Sequence, residues 1–123
     1  MLFADTVEPV KRNTSDELFL FRIEAIPTPE NPESSDVGGA YINAWVDTET
    51  LRDAEEIAIE RIKEEGWSPI KFEHWELVCK DCYSKESHDK DALPDIIECI
   101  DTALEYGVGL LFHTWQIDAA EEE

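Results

Sequence analysis

The sequence predicts an α+β fold, a two-layer sandwich in which two helices cover one face of a four-stranded sheet. Residues 39–47 alternate apolar and polar side chains with the period of a strand. Residues 50–65 then repeat apolar side chains with the period of a helix, and residues 67–78 return to the composition of a strand. Such a β-α-β unit leaves apolar surface that the rest of the chain must cover.

Two further strands complete the predicted sheet. Residues 18–26 are rich in aromatic and β-branched side chains and are followed by Pro27, which cannot donate to a strand ladder. Residues 108–116 form the last strand, although residues 110–112 are apolar on both faces, so the facing of this strand stays open.

Each predicted helix has signals at its ends. Thr50 caps the first helix, and Gly66 suits its left-handed stop. The second helix has Asp91 as a candidate cap and Pro94 in its first turn, and it ends at Gly107. The solvent side of the first helix is predicted to carry four glutamates: Glu55, Glu56, Glu60 and Glu64. Right-handed crossovers in the order β-β-α-β-α-β place both helices on one sheet face, a ferredoxin-like arrangement.

The length of 123 residues fits one domain. We expect an N-terminal arm over residues 1–16, a single α+β domain over residues 17–117 and an acidic tail over residues 118–123. The region between the first two strands, residues 27–36, has three prolines and is predicted to be an exposed loop.

The composition is strongly acidic. Thirty Asp and Glu against ten Lys and Arg give a formal net charge of −20. Nucleic-acid binding requires clusters of Lys and Arg that displace counterions, so direct binding to nucleic acid or to an anionic membrane is disfavoured. The acidity is explained by solubility, by a salty habitat or by attraction to a basic partner.

Cysteine usage favours a reducing compartment. The chain has three cysteines, an odd number, and residues 1–5 become acidic at once where a secretory leader would be apolar. No apolar run approaches the length of a membrane span. The expectation is a cytoplasmic protein.

A sheet covered on one side leaves its other face open. Aromatic side chains mixed with polar ones are typical of interfaces and ligand platforms. The residues expected on this face are Tyr41, Asn43, Trp45, Glu73, Trp75, His113 and Trp115. Three uses remain open: self-association as a dimer, binding of a partner or small ligand, and burial beneath the N-terminal arm.

Other features support chemistry only weakly. Cys79 and Cys82 form a C-x-x-C, and with His88 they are weak metal candidates, because a structural zinc site needs a second ligand pair at fixed spacing. A redox role is weaker still, since no helix begins at this motif. No cofactor is expected.

Three functions therefore stay in view. The first is a non-enzymatic module that self-associates or binds a protein through the aromatic face. The second is an immunity or inhibitor protein that neutralises a basic toxin or nuclease. The third is a small-ligand enzyme in which His74 or His113 and a nearby carboxylate perform acid–base chemistry.

Three short segments carry a family resemblance, namely residues 39–46, residues 65–67 and residues 112–115. In these segments the chain resembles small bacterial two-layer α/β proteins of unknown function. The resemblance covers roughly the last two-thirds of the chain. It implies the two-layer fold and carries no catalytic role.

Overall fold

The computed structural model describes residues 11–14, 16–32, 37–79 and 93–116. Within them the chain forms four strands and two helices, and the α+β class is confirmed. The strands are β1 (Glu17–Pro27), β2 (Val37–Val46), β3 (Trp67–Cys79) and β4 (Val108–Gln116). The helices are α1 (Leu51–Glu64) and α2 (Leu93–Tyr106).

The strands form one open antiparallel sheet in the order β3-β1-β2-β4. The β1–β2 hairpin occupies the centre, so its residues are flanked on both sides, while β3 and β4 lie at the two edges. Two register shifts interrupt the pairing of β1 with β3. The pairing of β2 with β4 is regular from Val108 to Trp115.

The first face of the sheet packs against α1. Alternate residues of β1 and β2 point to this face because side chains alternate with period two. The buried side chains from these strands are Phe19, Phe21, Ile23, Ala25, Ala40, Ile42, Ala44 and Val46. The apolar stripe of α1 that meets them is Leu51, Ala54, Ala58 and Ile62. This is the larger of the two cores, and the small alanines of β2 and α1 allow the helix to approach the sheet closely.

The second face of the sheet packs against α2. Leu18 and Trp45 from the strands are buried here against Ile100 and Ala103 of that helix. The prediction that both helices lie on one face is therefore wrong, and the fold has three layers, α/β/α. The physical reason is that β1 and β4 are apolar on both faces at one end of the sheet, which requires a cover on each side.

Helix α2 covers only one end of the second face. In β1 the side chains on this face change from Leu18 and Leu20, which pack on α2, to the exposed Arg22. In β4 they change from Leu111, packed on α2, to the exposed His113. The uncovered end of this face is the part of the sheet available to a partner.

The ends of the helices follow the local signals in the sequence. The Thr50 side chain accepts a hydrogen bond of 3.2 Å from the Asp53 backbone N–H, which confirms the predicted cap. Gly66 and Gly107 both have positive φ, as expected after a helix. One expectation for α1 is wrong, because Glu55 is 2 % exposed and does not lie on the solvent side.

Two further contacts hold parts of the chain against the sheet. A Cβ at Gly109 would lie 2.1 Å from the backbone oxygen of Cys99, so only glycine lets α2 pack this closely on β4. At the start of the chain, the half-buried Arg12 forms an ion pair with Asp47 and donates to the backbone oxygen of Glu17. Residue 12, assigned above to a loose arm, is thus attached to the domain.

Candidate functional site

The uncovered end of the second face holds four of the predicted site residues. Tyr41 is paired with His113, Asn43 with Leu111, and Gly39 with Trp115 in the register of β2 and β4. Tyr41, Asn43, His113 and Trp115 therefore share this surface.

Of the other three predicted site residues, Trp45 and Trp75 pack against the two cores, and Glu73 is exposed without a paired position on β1. Trp45 is 1 % exposed, because α2 covers it, so it is not available to a partner. Trp75 packs against the core of the first face, 6.1 Å from the Phe19 ring. The register shift after Arg22 leaves Glu73 without a partner position on β1, and the residues that follow it are displaced relative to strict alternation. This irregularity explains why the facing of β3 was predicted incorrectly.

The centre of the surface is a stack of three side chains. The Tyr41 and Trp115 rings lie 5.2 Å apart, centroid to centroid, with planes tilted by 49°. The Arg22 guanidinium carbon lies 4.6 Å from the Tyr41 ring centroid, a cation–π contact. The Trp115 indole lies directly over Gly39, where a Cβ would meet its ring at 2.4 Å. The absent side chain at Gly39 makes room for the indole to lie flat on the sheet.

We call this surface the aromatic patch and define it by Arg22, Ile26, Tyr41, His113 and Trp115. Ile26 and Trp115 are 41 % and 38 % exposed, large fractions for such side chains. Arg22 and Ile26 are absent from the residues predicted for this face, although both alternate in phase with Leu18 and Leu20 of β1. That alternation was the signal that could have found them.

Charged side chains border the aromatic patch on its β3 side, and Glu24, paired with Tyr41 of β2, lies within the patch. In the register of β1 and β3, Glu24 pairs with Lys71, Arg22 with His74, and Leu20 with Glu76. His74 Nε2 lies 3.7 Å from a Glu76 carboxylate oxygen, and both side chains are more than half exposed. The border therefore mixes both signs of charge, in contrast to the chain as a whole.

The two histidines do not converge on one reaction centre. They belong to β3 and β4, which are separated by two strands, so His74 and His113 are about 14 Å apart across the sheet. Each is exposed to solvent. A general acid–base pair needs both groups within reach of one substrate; in the described ranges His74 lies beside Glu76 but far from His113.

The cysteine motif lies mostly outside the described residues. Cys79 ends β3 and is half-buried, whereas Cys82 and His88 lie outside the described residues. Among the residues that the structure does describe, no group of three or more His, Cys, Asp or Glu side chains is placed to hold a metal ion.

One buried polar group has no partner within the described part of the chain. The Trp45 indole N–H lies beneath α2 without a hydrogen-bond acceptor. Leaving such a donor unsatisfied costs about 1–3 kcal/mol. The large apolar area of the same indole, buried among Leu18, Ile100 and Ala103, offsets this cost.

A scan against models of protein families, a search of curated proteins and a search of solved structures each find no match. In the ranges that the structure covers, neither helix has the length and apolar character needed to cross a membrane. The function must therefore be inferred from the surfaces of the molecule.

Proposed function

We propose that this protein is a binding module that self-associates through the aromatic patch. The observation that carries the proposal is the contact of Arg22, Tyr41 and Trp115 on the end of the second sheet face that α2 leaves uncovered. Aromatic and Arg side chains are enriched at the centres of protein interfaces, where they contribute most of the binding energy.

Charge favours a second copy as the partner. Two chains of net charge −20 repel each other over most of their surfaces. At the aromatic patch, the cations Arg22 and Lys71 lie beside the carboxylates Glu24 and Glu76. In the proposed dimer, a two-fold axis through the patch sets the cations of one copy beside the carboxylates of the other, so this face has less repulsion than the rest of the surface.

The size of the patch sets the expected strength. The patch extends about 14 Å across the four strands and a similar distance along them. Including the side chains at its edges, its area is on the order of 400 Å². A standard interface buries about 800 Å² on each partner. We therefore expect a weak, reversible dimer with a dissociation constant in the micromolar range or above.

Sedimentation velocity over a series of concentrations tests the proposal. The wild type should shift toward a dimer as its concentration rises, and Trp115→Glu should remain a monomer. The matched control is Tyr106→Glu, which adds the same charge at an aromatic residue that is 74 % exposed on α2. Self-association of Trp115→Glu as strong as that of Tyr106→Glu, or a wild type that stays monomeric to about 0.5 mM, contradicts the proposal.

Trp45→Glu is not a suitable test. Trp45 lies beneath α2, so a carboxylate there would be buried and would destabilise the fold regardless of any interface.

A second candidate is a protein that neutralises a basic partner, which the surface of α2 favours. The exposed carboxylates of this helix are Asp95, Glu98, Asp101 and Glu105. No Lys or Arg occurs between Leu93 and Tyr106. Co-purification from the native source at low and at high salt tests this candidate. A basic protein retained only at low salt supports it, and its absence under both conditions contradicts it.

The cytoplasm is the proposed location. Cys99 is a half-buried free thiol. Free thiols persist in reducing compartments, which supports the proposal. Recovery of Cys99 as a reduced thiol, alkylated after rapid denaturation of intact cells, is the expected result.

A further inference from the structure

The outer edge of β4 exposes backbone groups that no described strand pairs with. Strand β4 pairs with β2 on its inner side only. The Asp47 N–H donates to the Gly107 oxygen at 2.9 Å, which fixes the phase of the ladder. Because hydrogen-bonded and non-hydrogen-bonded pairs alternate, the backbone groups of Val108, Leu110 and Phe112 point away from β2.

The hydrogen bond of Cys99 is consistent with an outward-pointing backbone at Leu110. Its Sγ donates to the Leu110 oxygen at 3.4 Å, so this carbonyl faces outward and not toward β2. Burial, with the negative charges of Glu98 and Asp95, raises the pKa of the Cys99 thiol to about 11. The thiol thus stays protonated at neutral pH and remains a donor.

A groove of about 360 Å³ runs along this edge. Its floor is formed by the five consecutive residues from Val108 to Phe112, which include side chains of both sheet faces. A groove that touches both faces lies at the edge of the sheet. The walls come from the two helices, and their charged members are Arg61, Glu65, Asp95 and Glu98.

The two edges of the sheet differ in their protection. Natural edge strands are protected from pairing by bulges, prolines and lysines. Strand β3 has two register shifts, Pro69 and Lys71. Strand β4 has neither Pro nor Lys nor Arg, and its pairing is regular from Val108 to Trp115. The edge without these protective features is the one that lies in a groove.

We propose that the outer edge of β4 binds an extended, Lys- or Arg-bearing segment of a partner protein as a fifth strand. Backbone hydrogen bonds to Val108, to Phe112 and to the Leu110 N–H hold the segment, as in other cases of strand addition, while the Leu110 oxygen keeps its hydrogen bond from Cys99. Five residues of floor correspond to a segment about 17 Å long. This surface is separate from the aromatic patch, and the inference does not depend on self-association.

The charges of the groove select a basic occupant. The groove is lined by the carboxylates of Glu65, Asp95 and Glu98 and by one cation, the guanidinium of Arg61. Arg61 already forms ion pairs with Glu64 and Glu65. The β4 strand of a second copy would bring the same carboxylates together, which disfavours it as the occupant. Lys or Arg at alternate positions of the segment would meet Asp95 and Glu98 on the α2 side.

Amide hydrogen exchange followed by NMR tests the proposal with a capped peptide of alternating Lys and Val, about eight residues long. Adding the peptide to the full chain should slow exchange at Val108, Leu110 and Phe112. The intervening amides of Gly109 and Leu111 already donate to β2 and should change little. This alternation is the signature of strand addition. Uniform or absent changes along β4 overturn the proposal.

Two controls separate strand addition from simple charge attraction. The same peptide N-methylated at alternate residues keeps its charge but loses the donors, and it should not bind. The double variant D95N/E98Q should weaken binding about three- to tenfold, whereas Glu105→Gln, outside the groove lining, should leave it unchanged. Equal binding of the methylated peptide overturns the proposal. Slow exchange of the three outward amides in the free chain also overturns it, since another part of the chain would then occupy the edge.

Discussion

The position of α2 on the second sheet face depends on one glycine, and replacing it should displace the helix. In Gly109→Ala the new Cβ would lie 2.1 Å from the Cys99 backbone oxygen and 2.9 Å from its carbonyl carbon. These atoms belong to the helix backbone and cannot rotate away as a side chain can. The helix must therefore move outward by about 1 Å to restore a normal contact.

The packing under α2 sets the size of the effect. Leu18, Trp45 and Ile100 are buried between the helix and the sheet, and burying each is worth about 1.5–3 kcal/mol. A gap of up to 1 Å removes a quarter to a half of the attraction across it. The expected loss is about 2–3 kcal/mol, a large part of the roughly 5–15 kcal/mol that stabilises a typical domain.

Urea unfolding followed by tryptophan fluorescence measures the loss, and hydrogen exchange locates it. Amides of α2 should exchange faster in Gly109→Ala, while those of α1 keep their protection. The matched control is Gly107→Ala, where the Cβ meets no atom within 4 Å and only the positive φ adds about 1–2 kcal/mol of strain. If Gly109→Ala destabilises the protein less than Gly107→Ala, or loosens α1 as much as α2, the placement of α2 is refuted.

Two further predictions concern local contacts. Thr50→Ala removes the acceptor for the Asp53 N–H and should lower the free energy of unfolding by about 1 kcal/mol in urea titrations. Thr50→Ser keeps a hydroxyl acceptor and should retain most of this stabilisation. The Cys99 thiol has a pKa near 11 in the folded chain against 9.0 in the unfolded chain, so its contribution to stability is complete below pH 9 and is lost as the pH rises through 11. Peptide-resolved alkylation at pH 8 should therefore label Cys99 more slowly in the native than in the denatured chain, and equal rates would contradict the assignment.

Local patterns in the sequence predict the elements of this fold well. The ends of β1, α1 and β4 lie within about two residues of the expected positions, since Pro27, Thr50, Gly66 and Gly107 act through the backbone of their own neighbourhood. Such signals need no knowledge of the rest of the chain.

The arrangement of the layers was predicted incorrectly because it depends on contacts between distant residues. A crossover rule for parallel strands placed both helices on one face, but every strand pair here is antiparallel. The useful signal was present in the sequence: residues 18–21 of β1 and residues 110–112 of β4 are apolar on both faces. A strand end that is apolar on both sides predicts a cover on both sides.

The candidate site was predicted in part for the same reason. Tyr41 and Trp115 come together because regular alternation carries over from β2 to β4. Trp75 does not join them, because the register shift near Glu73 changes the facing of β3, and a bulge leaves little trace in a single sequence. Glu55 was assigned to solvent from helical period alone, although it lies beside the buried Ala54 of α1.

The two proposed binding surfaces both include β4, but one is formed by its side chains and the other by its outward backbone groups. A partner at the aromatic patch contacts Trp115 through side chains perpendicular to the sheet, whereas a fifth strand contacts Leu110 through backbone groups in the sheet plane. The two occupants therefore need not exclude each other. Trp115→Glu should abolish the dimer and leave peptide binding unchanged, whereas D95N/E98Q should weaken peptide binding about three- to tenfold and leave the dimer unchanged. Loss of both interactions in either variant would mean that one surface serves both.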